Sequence, residues 1–227
     1  RYQDLKGKKI GVSDLGTTDY PVTRAVLRNL GIDPDKDVQW ISVGAGVSAG
    51  VALQRGVIDA LAYFDTGFGQ IEAAGIEMRM LPRPKDVPLI GGLFISARAD
   101  FLKANRKLAV GFARAVNKSS EFLLANPEAG ARVYLKLFPE TAPRGASEAD
   151  AVKSVLFAAK RRIPLYRPPY PNTMMGFIHE SELLLDAKFL GLDSIKDIKP
   201  LMTNEMIDEI NNYDREKIIA QAKAYKS

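Results

Sequence analysis

Apolar positions recur with two different periods along the first ninety residues. Residues 8–12 make a short β-run, and Val22, Ala25, Val26 and Leu30 then fall on one face of a helix over 20–30. Gly31 follows, where a helix C-cap belongs. Residues 38–43 predict a second strand, 47–54 a helix ending near Gly56, and 58–64 a third strand. A helix over 66–74, closed by Gly75, leads to a fourth strand near 78–81. This β-α alternation with short loops predicts a parallel-rich sheet with helices on both faces.

After Ser96 the pattern changes. Phe101, Leu108, Phe112, Val116 and Leu123 mark one long amphipathic helix over 100–125, stopped by Asn126-Pro127. A shorter helix follows over 127–138. Ser147, with Asp150 three residues on, forms a partial capping box for a helix reaching about residue 160. Beyond a loop holding Pro164, Pro168, Pro169 and Pro171, helices are predicted over 173–189, 204–211 and 214–225. Only residues 89–97 read as extended, so these helices have little sheet to pack on. Their sheet partners are missing or come from elsewhere.

Length and composition add limits rather than a function. The 227 residues suffice for one domain or two lobes, and 46% hydrophobic with 26% charged residues is globular usage. The longest uncharged apolar run, residues 87–97, is interrupted by Pro88, Gly91 and Gly92 and falls well short of the roughly 20 residues that span a bilayer. Cysteine is absent, which removes disulfide and thiolate chemistry and leaves the redox compartment open. Arg1-Tyr2-Gln3-Asp4 carries no signal-peptide pattern, so such a peptide was removed or the chain starts downstream of it. The net charge of +5 is dispersed among acidic residues. Its one basic knot, Lys160-Arg161-Arg162, reads as a solvated helix end, and nucleic acid is not expected as a partner.

Candidate chemistry is sparse. His179 is the only histidine, placed mid-helix by the pattern, and no ligand set at a metal-binding spacing surrounds it. No serine sits in a G-x-S-x-G elbow that could use it for hydrolysis. Gly44, Gly46 and Gly50 are spaced G-x-G-x-x-x-G, one residue longer than the dinucleotide fingerprint; no acid ends the next strand about 20 residues on, Asp65 coming somewhat too early. They read as a tight turn that exposes backbone N–H groups at a helix start. Ser13, Asp14, Thr17 and Thr18 occupy the first βα turn, where Asp19 or Thr18 is a natural N-cap ahead of Pro21. That turn, the one over 44–48 and the one at Asp65-Thr66 all follow strand C-termini, the edge where open α/β sheets bind ligands. The candidate ligand-binding set is therefore Ser13, Asp14, Thr17, Thr18, Gly44, Ser48, Tyr63, Asp65 and Thr66. No catalytic residue, metal ligand or cofactor is assigned.

The wording of several segments resembles a known family. Asp4-Leu5-Lys6-Gly7-Lys8-Lys9-Ile10-Gly11-Val12 is similar to the opening of the second lobe of type II periplasmic solute-binding proteins, in the nitrate, sulfonate, taurine and thiamine-precursor group. The likeness continues through Leu27 to Gly31, through Ala52-Leu53-Gln54-Arg55-Gly56-Val57-Ile58-Asp59-Ala60, and through Gly92-Leu93-Phe94-Ile95-Ser96. It extends through Phe112 to Asn126-Pro127, Thr203-Asn204-Glu205 and Asn211-Asn212-Tyr213-Asp214.

The resemblance implies an α/β, type II periplasmic-binding-protein-like fold. Residues 1–90 would form lobe two, a parallel-rich sheet that binds ligand; residues 91–227 would hold the crossover and the largely helical C-terminal part of lobe one. It implies a solute-binding component of an ABC importer, in the periplasm or cell envelope, hinging closed on a small organic molecule and meeting permease subunits. Family members begin with a further β-α-β-α segment, so a chain without it is expected to expose apolar surface and to self-associate. Asp14, Asp19 and Asp65 near one edge disfavour a small hard anion and favour a neutral or amine-bearing ligand. Enzymes of the thiamine-pyrimidine-synthase type share the fold but carry a cysteine-rich motif, so an enzyme is not the expectation. A protein-association module is the third class.

Overall fold

The computed structural model describes residues 1–91 and 93–225, so Gly92 of the resembling segment lies outside the described residues. Its contacts divide into two units. The first comprises Arg1–Ile90, Phe157–Arg161 and Ser181–Lys196; the second comprises Gly91–Leu156, Arg162–Glu180 and Asp197–Ser227.

In the first unit, β1 (Lys8–Val12) lies between β2 (Val38–Ser42) and β3 (Ala60–Leu61), parallel to both. Helices α1 (Asp19–Asn29), α2 (Val47–Gln54) and α3 (Asp65–Ala73) connect and follow them. Adjacent residues of β3 serve opposite faces, as strand geometry requires. Ala60 and Ala62 pack with Ile10, Leu27, Ile32 and Val38, whereas Leu61 packs with Ala49, Ile71 and Ile76. Trp40 closes the first cluster by donating from its indole nitrogen to Pro34 O at 2.7 Å and meeting Tyr20 edge-on. The fourth strand expected near 78–81 does not form. Met78 reaches the second cluster as a side chain, but Arg79 and Met80 are exposed and Pro82 and Pro84 lack the N–H groups a ladder needs.

Two later segments return to this unit. The C-terminal end of α7 (Glu148–Ala159) approaches α3 so closely that a Cβ on Gly69 would lie 2.2 Å from Ala158 O. One turn along α3, Glu72 takes Arg161 at 2.6 Å and Lys160 at 2.9 Å. The Lys160 contact is an ion pair without hydrogen-bond alignment, because Glu72 Oε2 has no hydrogen-bond partner. The Arg161 hydrogen bond, and after it the Lys160 ammonium, holds the Glu72 carboxyl below the ordinary glutamate range. Two of the three cations in the basic knot are thus engaged by one carboxylate.

The second unit is helical in its described part. The predicted long helix is two, α4 (Ala99–Ala104) and α5 (Arg106–Ala125). Asn105 separates them: its side-chain nitrogen donates to Phe101 O at 3.1 Å, the kind of local bond that competes with helix propagation. Helix α6 (Pro127–Leu137) starts as the sequence predicts, with Asn126 Oδ1 accepting from Ala129 N. Ser147 Oγ accepts from Asp150 N at 3.2 Å and lies 2.7 Å from its carboxylate, which forms the expected box at α7.

The helix expected over 173–189 is only α8 (Glu180–Phe189). Side chains occupy the backbone groups that a longer helix would use: Ile178 N and O bond to Asn204, and Met175 O accepts from Asn117 and Asn211. His179 is therefore not mid-helix. It precedes α8, with its ring 4.9 Å from Tyr170 and 5.0 Å from Phe177 and Nε2 buried without a hydrogen-bond partner. Helices α9 (Ile207–Asn211) and α10 (Arg215–Ala224) complete the unit, the latter capped by Asp214 Oδ1. Residues 89–97 form no strand among the described residues, and Leu89, Leu93, Phe94 and Ile95 are at least half exposed. An extended segment becomes a strand only when a neighbour accepts and donates along it.

Candidate functional site

The three predicted turns follow β1, β2 and β3 and open α1, α2 and α3, so their backbone N–H groups lie at one edge of one parallel sheet. Aligned peptide dipoles give each helix start a partial positive charge. The turns are joined to one another. Gly44 N donates to Ser13 O at 3.2 Å, and Ser42 Oγ donates to the same oxygen at 3.1 Å. Tyr63 then reaches back, its hydroxyl 3.3 Å from Gly44 O and 3.5 Å from Gly46 O.

The first turn is organised by Asp19. Its carboxylate accepts from Ser13 N and Ser13 Oγ, both at 2.7 Å, and from Thr17 Oγ1. Asp14 shapes the loop locally, its Oδ1 accepting from Gly16 N at 2.8 Å in an Asx-turn. Neither cap expected from the sequence forms. Thr18 occupies the N-cap position without a side-chain bond, and Asp19, the first helical residue, turns backwards into the loop. Asp14, Thr17 and Thr18 are exposed, while Ser13 is half-buried.

The second turn needs glycine. Gly44 has φ +76°, and Gly46, the N-cap of α2, has φ +80° and ψ −153°, a region that side chains other than glycine essentially do not enter. Ser48 is exposed and donates to Ala45 O at 3.1 Å. In the third turn Asp65 Oδ1 accepts from Thr66 N at 2.6 Å, and both residues are half-buried.

Tyr63 braces the edge. Its ring lies 4.4 Å from Phe64 and 5.8 Å from Phe68, over Gly67, where an added Cβ would come within 2.2 Å of it. Burial, together with the negative charge of Asp19, raises the Tyr63 hydroxyl above the ordinary tyrosine range. With its hydroxyl directed at carbonyls, Tyr63 is a structural brace, and the half-exposed neighbouring ring belongs to Phe64.

All nine predicted site residues thus lie in or beside the three turns; Asp19, already expected at that edge, organises the first turn, the structure adds Ser42, and the Phe64 ring is more exposed than that of Tyr63. The bond from Ser13 to Asp19 spans six residues of loop, which no helix or strand periodicity encodes. The short Thr17-Thr18-Asp19 run of hydroxyls and acid was its one sequence trace. Among the described residues, no group of three or more His, Cys, Asp or Glu side chains is placed to hold a metal ion, and no helix is long and apolar enough to cross a membrane.

No curated protein matches the chain in sequence. A solved structure of a protein from Bordetella bronchiseptica RB50 is similar, with a TM-score of 0.60 and 25% identity over 92% of this chain. The chain spans 65% of that protein's length. The α/β, periplasmic-binding-protein-like fold expected from the sequence is thereby supported. The model of the family described as NMT1/THI5 like matches residues 1–130. The chain belongs to the NMT1/THI5-like family, which consists mainly of periplasmic solute-binding proteins of the nitrate, sulfonate and taurine type.

Proposed function

We propose that the chain belongs to the solute-binding component of an ABC importer and that the turns after β1, β2 and β3 hold a small organic ligand. One observation carries this reading: three helix starts from consecutive βα units are tied into a single edge by Ser13, Ser42 and Tyr63. Such an edge offers N–H donors, exposed hydroxyls from Thr17 and Thr18, the Asp65 carboxylate and the Phe64 ring. Asp14, Asp19 and Asp65 stand in the same turns, so a neutral or amine-bearing ligand fits better than a bare oxyanion. The partners are then that ligand and the importer's permease subunits, and the setting is the periplasm or cell envelope. Residues 1–90 act as the ligand-binding lobe and residues 91–227 as crossover and part of the other lobe. An enzymatic role on the same fold is the competing reading; turnover of a bound ligand would favour it.

The test starts with mass spectrometry of small molecules that survive purification of the full-length protein. Calorimetry with the identified ligand follows. Asp65→Ala, and Thr17→Ala paired with Thr18→Ala, are each expected to weaken binding roughly ten- to a hundredfold, the effect of losing about 1.5–3 kcal/mol of charge-assisted hydrogen bonding. Unchanged affinity in both folded variants would move the site elsewhere.

Leu93, Phe94 and Ile95, with Leu108 and Phe112 on α5, are exposed in the second unit, and we propose that through them this chain pairs with a second copy. Sedimentation is expected to give a concentration-dependent dimer for the 227-residue chain. Substituting Leu93 and Ile95 by Asp should return it to monomer, and a parent that stays monomeric at every concentration removes this assignment.

A further inference from the structure

We infer that the second unit carries an anion-binding pocket between α5 and α10 for a small phosphate monoester with a flat, ring-bearing body. A cavity of about 410 Å³ lies there, lined by Arg114, Lys118, Tyr213, Asp214, Lys217 and Gln221, among others. Each helix presents an i,i+4 pair to it: Arg114 and Lys118 from α5, Lys217 and Gln221 from α10. Two cations spaced four residues apart repel across a helix face, so α5 gains nothing locally from this pairing.

The neighbouring acids do not balance these charges. Glu209 pairs with Arg106 at 2.5 Å, and the buried Glu121 pairs with Arg215 at 2.9 Å. Asp214, the only acid in the lining, uses Oδ1 to cap α10 at Lys217 N. Three cations therefore face one carboxylate, which leaves two positive charges. Arg114 is held in place through Nε and one terminal nitrogen, both donating to Glu209 O at 3.1 and 2.6 Å. Its other terminal nitrogen makes no hydrogen bond among the described residues. Lys118 stands 5.7 Å from the centre of the Tyr213 ring, within cation–π range.

The charge and the volume select the ligand class. A phosphate monoester carries about −1.5 to −2 near neutral pH, which matches the surplus where a single carboxylate would not. The cavity falls in the roughly 300–1,000 Å³ range of organic-ligand sites and is far larger than a bare phosphate requires. The Tyr213 ring offers the additional volume an aromatic face. The lining residues all belong to the second unit, and the inference stands independently of the strand-edge site.

Calorimetry of the full chain at low salt, with phenyl phosphate, inorganic phosphate and phenol as probes, tests it. Phenyl phosphate is expected to bind at one site per chain, inorganic phosphate more weakly and phenol not at all, with affinity falling as salt rises. Lys118→Glu combined with Lys217→Glu should weaken phenyl phosphate at least about tenfold. Neither lysine has a carboxylate partner among the described residues, so circular dichroism should be unchanged. Lys103→Glu with Lys136→Glu makes the same change in net charge outside the cavity and should leave affinity intact. Failure of phenyl phosphate to bind the parent, equal binding by parent and cavity variant, or equal losses in the two double variants would overturn the assignment.

Discussion

Gly69→Ala is expected to destabilise the first unit by about 3 kcal/mol, although alanine is the better helix former. In an unobstructed helix the substitution stabilises by about 1 kcal/mol. Here the new methyl would meet Ala158 O at 2.2 Å and the Ala158 carbonyl carbon and Cα at 2.7 Å. Those are backbone atoms, which no side-chain rotation can clear. Relief requires α7 to withdraw from α3, and that strains the Glu72 contacts with Lys160 and Arg161 one turn away. Trp40, the only tryptophan, packs against the core of this unit, so its fluorescence during urea unfolding reports the change. Gly111→Ala on α5 is the control. Its added Cβ meets nothing within 4 Å, and the variant should lose no stability. A Gly69→Ala protein as stable as the parent would mean that α7 does not rest on α3.

The second large effect is expected at Asp19. Asp19→Ala removes the acceptor of three hydrogen bonds and leaves the half-buried Ser13 N–H unpaired, at a cost of about 2–3 kcal/mol. Asp19→Asn keeps one carbonyl acceptor and should retain part of that stability. The two variants also separate a positioning role from a capping role. Asp19 accepts from no N–H of α1, so α1 helicity should be preserved in both while the turn loosens. Ligand affinity at the strand edge should then fall in the order parent, Asn, Ala. A helix that melts while the turn stays ordered would contradict this assignment.

Gly69 and Asp19 also mark where reading from the sequence stops. Strands β1 and β2, helices α1 and α2, and the α6 and α7 caps follow from local periodicity and capping chemistry, which act within a few residues. Gly31, Gly56 and Gly75 stand at positive φ immediately after α1, α2 and α3, as helix-ending glycines should. The three-turn edge was legible too, because parallel order places every βα turn on the same side of a sheet.

The errors share a cause. A strand is expected near 78–81 and an extended run over 89–97, but a strand exists only where a neighbouring backbone pairs with it, and neither segment forms one among the described residues. The helix expected over 173–179 lost its carbonyls and N–H groups to Asn117, Asn204 and Asn211, which lie 26 or more residues away along the chain. The Glu72–Arg161 pair spans 89 residues and the Arg114 contacts with Glu209 span 95. Short-range patterning therefore determined which segments fold and which sheet edge the βα turns share. Tertiary structure alone decided which polar groups are used up in holding that edge and which cations are left unbalanced, because those partners meet only after the chain has closed on itself.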